Sequence, residues 1–293
     1  MGKEPRTYSI SRSLILAVGC LAACANPRPP ATPAPASVEP EPVPATMPSG
    51  SASWSFNFAP GAVAYRVSRS ATITGDTDPQ LRRETSTNST YESLILQRAG
   101  DTIAFTAVVD TFATTTQGAI GSAQAIQLPV QLSGVRIGDS MAVSGDSLAE
   151  TCNPATSALI TDLHNLLPHF PVLLTISMIW KDSTQSLGCY GSIPTRSRVL
   201  HSFRVLGENM YEGARAVIVQ RNDTVQAEGE GAQQRHHLTF MANGTGSAVY
   251  HLDAATGRIM HLSVDQDLSL SITASGKTSR FHQTTKQEFV LVR

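Results

Sequence analysis

Charge is scarce in this chain: Asp, Glu, Lys and Arg make up 15% of its 293 residues, against roughly a quarter in ordinary soluble domains. The 22 basic residues face 23 acidic ones. No cationic surplus exists to neutralise a phosphate backbone, so nucleic acid is excluded as a partner. Long apolar runs are missing as well. Leu14–Ala23 and Pro171–Trp180 are the longest candidates, and each is about half the ~20 residues that a helical bilayer span needs. Cysteines number four, which leaves little room for a thiolate metal site.

What is present begins with an export pattern. Lys3, Arg6 and Arg12 form a positive head, Leu14–Ala23 an apolar stretch, and Leu21-Ala22-Ala23-Cys24 closes it. That tetrapeptide resembles the lipobox of bacterial lipoproteins. The resemblance implies removal of residues 1–23 as a signal peptide, a diacylglyceryl thioether on Cys24 and acylation of its new amine. Several acyl chains on one residue anchor stably, because each buried CH₂ contributes about 0.8 kcal/mol. Ala25 stands where Asp would resemble an inner-membrane retention signal, which implies the outer membrane in a cell that has two. The expected location is extracytoplasmic, with the membrane as partner through the lipid anchor.

Between residues 25 and 50 lie nine prolines. Proline fixes φ and removes a donor, so residues 24–50 read as a lipidated cysteine plus a disordered tether. As polyproline II it would reach roughly 80 Å. A docking motif is the alternative, since Pro27 and Pro30 make a PxxP.

From Ser51 onward the dominant period is two, the signature of half-buried strands. Leu262, Val264, Leu268, Leu270 and Ile272 alternate with polar neighbours. A turn at Ser275–Thr278 then predicts a return strand over Arg280–Val292, in a register pairing Ile272 with Phe281. Asn243-Gly244-Thr245-Gly246 predicts another hairpin turn, and Asp253–Gly257 a third. Further strands are expected at Val63–Thr74, Arg83–Gln97, Thr102–Thr115, Ile126–Leu132, Met141–Ser144, Val199–Leu206 and Ala214–Gln220. One helix is expected: Asn153 caps it, Pro154 opens it, Leu159, Leu163, Leu166 and Leu167 form its stripe, and Pro168 stops it. Pro171–Trp180 reads as a fully buried strand. The expected fold is mainly β: a curved antiparallel sheet, half-barrel or sandwich-like, of about a dozen strands with one short helix packed on a face. It occupies residues 51–293 as one domain, with a division near Cys152 as the alternative.

Cys152 and Cys189 flank the helical insertion and are expected to bond in an oxidising envelope. Gly145-Asp146-Ser147-Leu148 resembles the tetrapeptide of the GDSL hydrolases, which would make Ser147 a nucleophile. That family's Gly-x-Asn-Asp and Asp-x-x-His blocks are missing, so Ser147 reads as a turn residue and no catalytic residue is expected. Gly276-Lys277-Thr278 imitates the end of a P-loop without its first glycine or its helix, and reads as a hairpin turn. His236, His237, His251, His261 and His282 gather late. With turns placed as above they split between two faces, no zinc tetrad forms, and no metal or other cofactor is expected. His237, Tyr250 and His261 remain as a candidate ligand patch. Trp54, Phe56 and Phe58 alternate and are expected in the core.

The body, with Trp180-Lys181-Asp182-Ser183 and Tyr250-His251-Leu252-Asp253, looks like uncharacterised families of β-rich bacterial lipoproteins, a likeness that implies no activity. The sequence thus leads to a lipid-anchored envelope protein, foremost a non-catalytic module for an apolar ligand. A structural or assembly partner in the envelope is the alternative, and a hydrolase using Ser147 a distant third.

Overall fold

The computed structural model describes residues 52–76, 84–117, 128–144, 152–191, 193–233 and 236–292. Cys24, the tether and Ser147 lie outside them. Among the described residues the alternation of apolar and polar side chains becomes thirteen strands, and the Asn153–Pro168 stretch becomes one helix. In chain order these are β1 (Ser53–Ser55), β2 (Gly61–Gly75), β3 (Glu84–Ala99), β4 (Thr102–Gln117), β5 (Val130–Ile137), β6 (Ser140–Ser144), α1 (Pro154–Leu166), β7 (Leu173–Thr175), β8 (Ile179–Tyr190), β9 (Ile193–Tyr211), β10 (Ala214–Gln233), β11 (His236–Asp253), β12 (Ile259–Ala274) and β13 (Lys277–Val292).

Eleven strands form one antiparallel sheet in the order β6-β5-β4-β3-β2-β13-β12-β11-β10-β9-β8, nearly closed and barrel-like. It consists of two meanders, β2 to β6 and β8 to β13, joined where β2 pairs with β13. Bulges at Ile218/Val219, Tyr91/Glu92 and His251/Leu252 add local twist and help the long strands curl. One face of each strand points inward, so Val67, Val205, Val219, Leu252, Leu262 and Phe289 are fully buried.

Helix α1 packs on that inner face. Asn153 Oδ1 accepts from Ala155 N–H at 2.9 Å, Pro154 opens the helix, and Leu159, Leu163, Leu166 and Leu167 are buried. A disulfide joins Cys152, just before the helix, to Cys189 near the end of β8. Phe170, Trp180, Phe203 and Tyr250 meet ring to ring at 4.9–6.4 Å, and Phe56 and Phe58 extend the cluster. Trp54, Phe56 and Phe58 are therefore core residues.

Three local expectations are corrected. Asn243-Gly244-Thr245-Gly246 is no turn: it runs through the middle of β11, with Gly244 opposite Leu268. Glycine is required there because a Cβ would collide with the Asp267 carbonyl and the Leu268 side chain, the close-approach role of a strand glycine. The β12–β13 turn is two residues, Ser275 and Gly276, both at positive φ (50° and 77°), so Ala274 pairs with Lys277. Leu270, not Ile272, therefore faces Phe281, and Leu262 faces Phe289. Pro171–Trp180 is not a buried strand. It breaks at Ser177 (φ 63°) into β7, paired with β1, and the start of β8, leaving Val172, Leu173 and Ile179 exposed.

Candidate functional site

The register of β9 against β10 sets His201 directly opposite Asp223, so both side chains point into the barrel. His201 Nδ1 lies 2.6 Å from Asp223 Oδ1, and its Nε2 lies 3.1 Å from Thr184 Oγ1 on β8. Arg221, two residues before Asp223 on the same face, donates from Nε to Asp223 Oδ2 at 3.0 Å. Its Nη2 donates to Asn165 Oδ1 on α1 at 3.0 Å, and its Nη1 to the Tyr250 hydroxyl. Strand wall and helix are thus tied by a buried network in which one guanidinium serves three acceptors.

This network forms one end of a cavity of about 270 Å³ between α1 and the inner face of β8–β13. Ser157, Thr161 and His164 line it from the helix. Toward its other end the wall turns apolar, with Phe240, Ala242, Leu268 and Leu270. Tyr190 stacks on Phe240 there with ring centroids 4.5 Å apart. The space is therefore amphipathic, and its volume falls just below the roughly 300–1,000 Å³ usual for ligand sites.

The electrostatics follow from burial and partners. Burial alone would raise the Asp223 pKa, but the His201 hydrogen bond and the Arg221 charge outweigh it and hold the carboxyl below its ordinary range. Burial pushes the Tyr250 hydroxyl up to about 12. Burial, reinforced by His201, lowers His164 to about 4, so that ring is neutral at physiological pH. The cavity end thus offers hydrogen-bonding groups, one cation and one anion already matched to each other.

A second buried polar group lies on β2, β3 and α1. Arg69 Nη2 donates to Glu92 Oε1 at 3.1 Å and also meets Asp162 of the helix. Thr90 Oγ1 donates to the same Glu92 oxygen at 2.9 Å. One cation faces two carboxylates here, and Glu92 Oε2 and Asp162 Oδ1 have no hydrogen-bond partner among the described residues. Burial accordingly drives the Glu92 pKa up, against the pull of Arg69.

The proposed patch of His237, Tyr250 and His261 does not assemble, which corrects the facing expected for it. Because residues 243–246 are strand rather than turn, His237 stands near the opposite end of β11 from Tyr250. Tyr250 points inward and is fully buried, whereas His237 is exposed beside Glu230. His261 faces outward too, 3.0 Å from Glu288 and stacked on Tyr211 at 5.3 Å. No group of three or more His, Cys, Asp or Glu residues among the described ones could hold a metal.

Arg221, Asp223, His201 and Asn165 escaped the sequence reading. A signal was there: Val217, Val219 and Val225 fix the inward phase of β10, and Arg221 and Asp223 occupy the same phase. No family model matches the chain, and comparison with curated proteins likewise finds no match.

Proposed function

We propose that the chain is a lipid-anchored cell-envelope protein whose β-rich body is a non-catalytic binding module. The ligand class is an amphiphile with a short apolar chain and a hydrogen-bonding head. The LAAC motif at Cys24 supports the anchor and, with it, the extracytoplasmic location, while no described helix is long and apolar enough to cross a membrane. The amphipathic cavity beside α1 is the observation that carries the binding reading. Its apolar wall accepts a hydrocarbon chain, and Thr184, His201 and Arg221 stand at the polar end.

Native mass spectrometry of the exported chain carrying Cys24→Ala tests this. The expected result is a bound amphiphile at one copy per chain, lost when Ala227→Phe on the β10 wall of the cavity narrows its apolar end. A chain that is empty as purified and fails to bind a fluorescent fatty acid overturns the reading.

A second reading, hydrolytic, rests on the order Thr184–His201–Asp223, which places a hydroxyl, a base and an orienting carboxylate in hydrogen-bond sequence. Ester cleavage by the chain that disappears in His201→Ala would select it over simple binding.

A further inference from the structure

A separate cavity of about 400 Å³ opens between β3, β4 and β5 and the segments around Phe58 and Phe170. Strand pairing sets Arg98 of β3 opposite Ile103 of β4, and Ile103 opposite Arg136 of β5. Residues directly opposite share a face, so both guanidinium groups project from the inner face, in one row about 10 Å across at the backbone. Both arginines line the cavity, with His169 and the rings of Phe56, Phe58 and Phe170.

Arg136 is only 7% exposed, and its guanidinium carbon lies 5.5 Å from the Phe58 ring centroid. Of its five N–H donors, one Nη1 hydrogen is spent on the Gly138 carbonyl at 2.6 Å, and its buried Nε has no partner among the described residues. Among the described residues Arg98 donates from Nε alone, to the Gly100 carbonyl at 2.9 Å. Neither forms an ion pair among the described residues. Asp101 lines the same space without an ion pair among the described residues, and Asp182 acts on Arg136 through space. Burying an unpaired cation is costly, and a second cation beside it adds to the cost. Burial lowers the Arg136 pKa, Asp182 opposes that and Arg98 reinforces it.

We propose that Arg98 and Arg136 form a binding site for an oxyanion, phosphate or carboxylate, carried on an apolar body that lies against the phenylalanine rings. The anion supplies the charge and the acceptors that the two forks lack, and guanidinium forks match such groups bidentately. Ile137, Val172 and Leu173, all more than half exposed, extend the apolar surface outward from the opening. This inference stands apart from the α1 cavity, which neither arginine lines.

Titration calorimetry on the full chain carrying Cys24→Ala tests it, with dodecyl phosphate, dodecanoate, dodecanol and inorganic phosphate as probes. Either dodecyl anion is expected to bind at least tenfold tighter than dodecanol, from one or two charge-assisted hydrogen bonds. Arg98→Gln, an exposed position whose loss leaves the core intact, is expected to remove about tenfold of that preference, and Arg136→Lys to weaken it as well. Inorganic phosphate binding as tightly as dodecyl phosphate would assign the site to a free anion instead of an amphiphile. Equal affinity for dodecanol and the anions, or an Arg98→Gln variant that keeps the preference, overturns the proposal. A variant that loses anion binding but still binds a neutral amphiphile at the α1 cavity would separate the two sites.

Discussion

Replacing Arg221 by Leu puts the buried network to a quantitative test. Arg221 is 2% exposed, and its guanidinium serves Asp223, Asn165 and Tyr250 together. Leu fills much of the volume but leaves the carboxylate of Asp223, a residue 4% exposed, facing His201 without the guanidinium. Removing one partner of a buried pair costs about 3–5 kcal/mol, because the remaining charge stays desolvated. Unpaired acceptors on Asn165 and Tyr250 push the value toward the upper end. Against a total stability of about 5–15 kcal/mol, the variant should unfold at much lower urea concentration. Fluorescence of Trp180, stacked on Phe203 at 4.9 Å inside the same core, reports the transition. Arg221→Leu combined with Asp223→Leu removes both charges and should recover about 1–4 kcal/mol relative to the sum of the single losses. A single variant less than about 1 kcal/mol weaker than the parent would show that water reaches these groups, and the account of the cavity's polar end would fail.

Glu92 gives a pH test. Its native pKa lies above its unfolded value, so the folded state holds the proton more tightly, and stability contributed below the unfolded pKa is lost as pH rises through the native one. Glu92→Gln should abolish that decline, leaving a flatter stability profile above about pH 4.5 by urea titration at several pH values; an unchanged slope would count against the assignment. For the disulfide, the 37-residue separation corresponds to about 4 kcal/mol of unfolded-state loop entropy. Cys152→Ala with Cys189→Ala should lose that amount in equilibrium unfolding, and a loss under 1 kcal/mol would mean the link adds nothing to α1.

The parts legible in the sequence were those where one rule acts alone. Asn153, Pro154 and the leucine stripe specified α1, and the alternation of β12 set its inward face. Strand length was harder to read. Past Val219, the inward positions of β10 hold Arg221 and Asp223, so the apolar alternation stops while the ladder to β9 and β11 continues. The binding candidates were hidden for the same reason: charged residues that face inward look in the sequence like solvated ones. Gly244 misled in the other direction, because a glycine that admits a neighbouring backbone and one that permits a turn are the same letter. Arg98 and Arg136 become neighbours only through Ile103, and no local spacing announces a relation made across three strands.

The first long strand and the last one lie side by side, from the pair Val292 and Ala64 to the pair Phe281 and Gly75. Each meander can grow from local hairpins, but the seam between them must wait until β13 is available, a closure between strands far apart in the chain. A polypeptide made from its amino end therefore keeps two unsealed borders until β13 has followed. Loss of β13 would leave two separate fragments of wall, each with an extra adhesive margin, rather than a slightly smaller vessel.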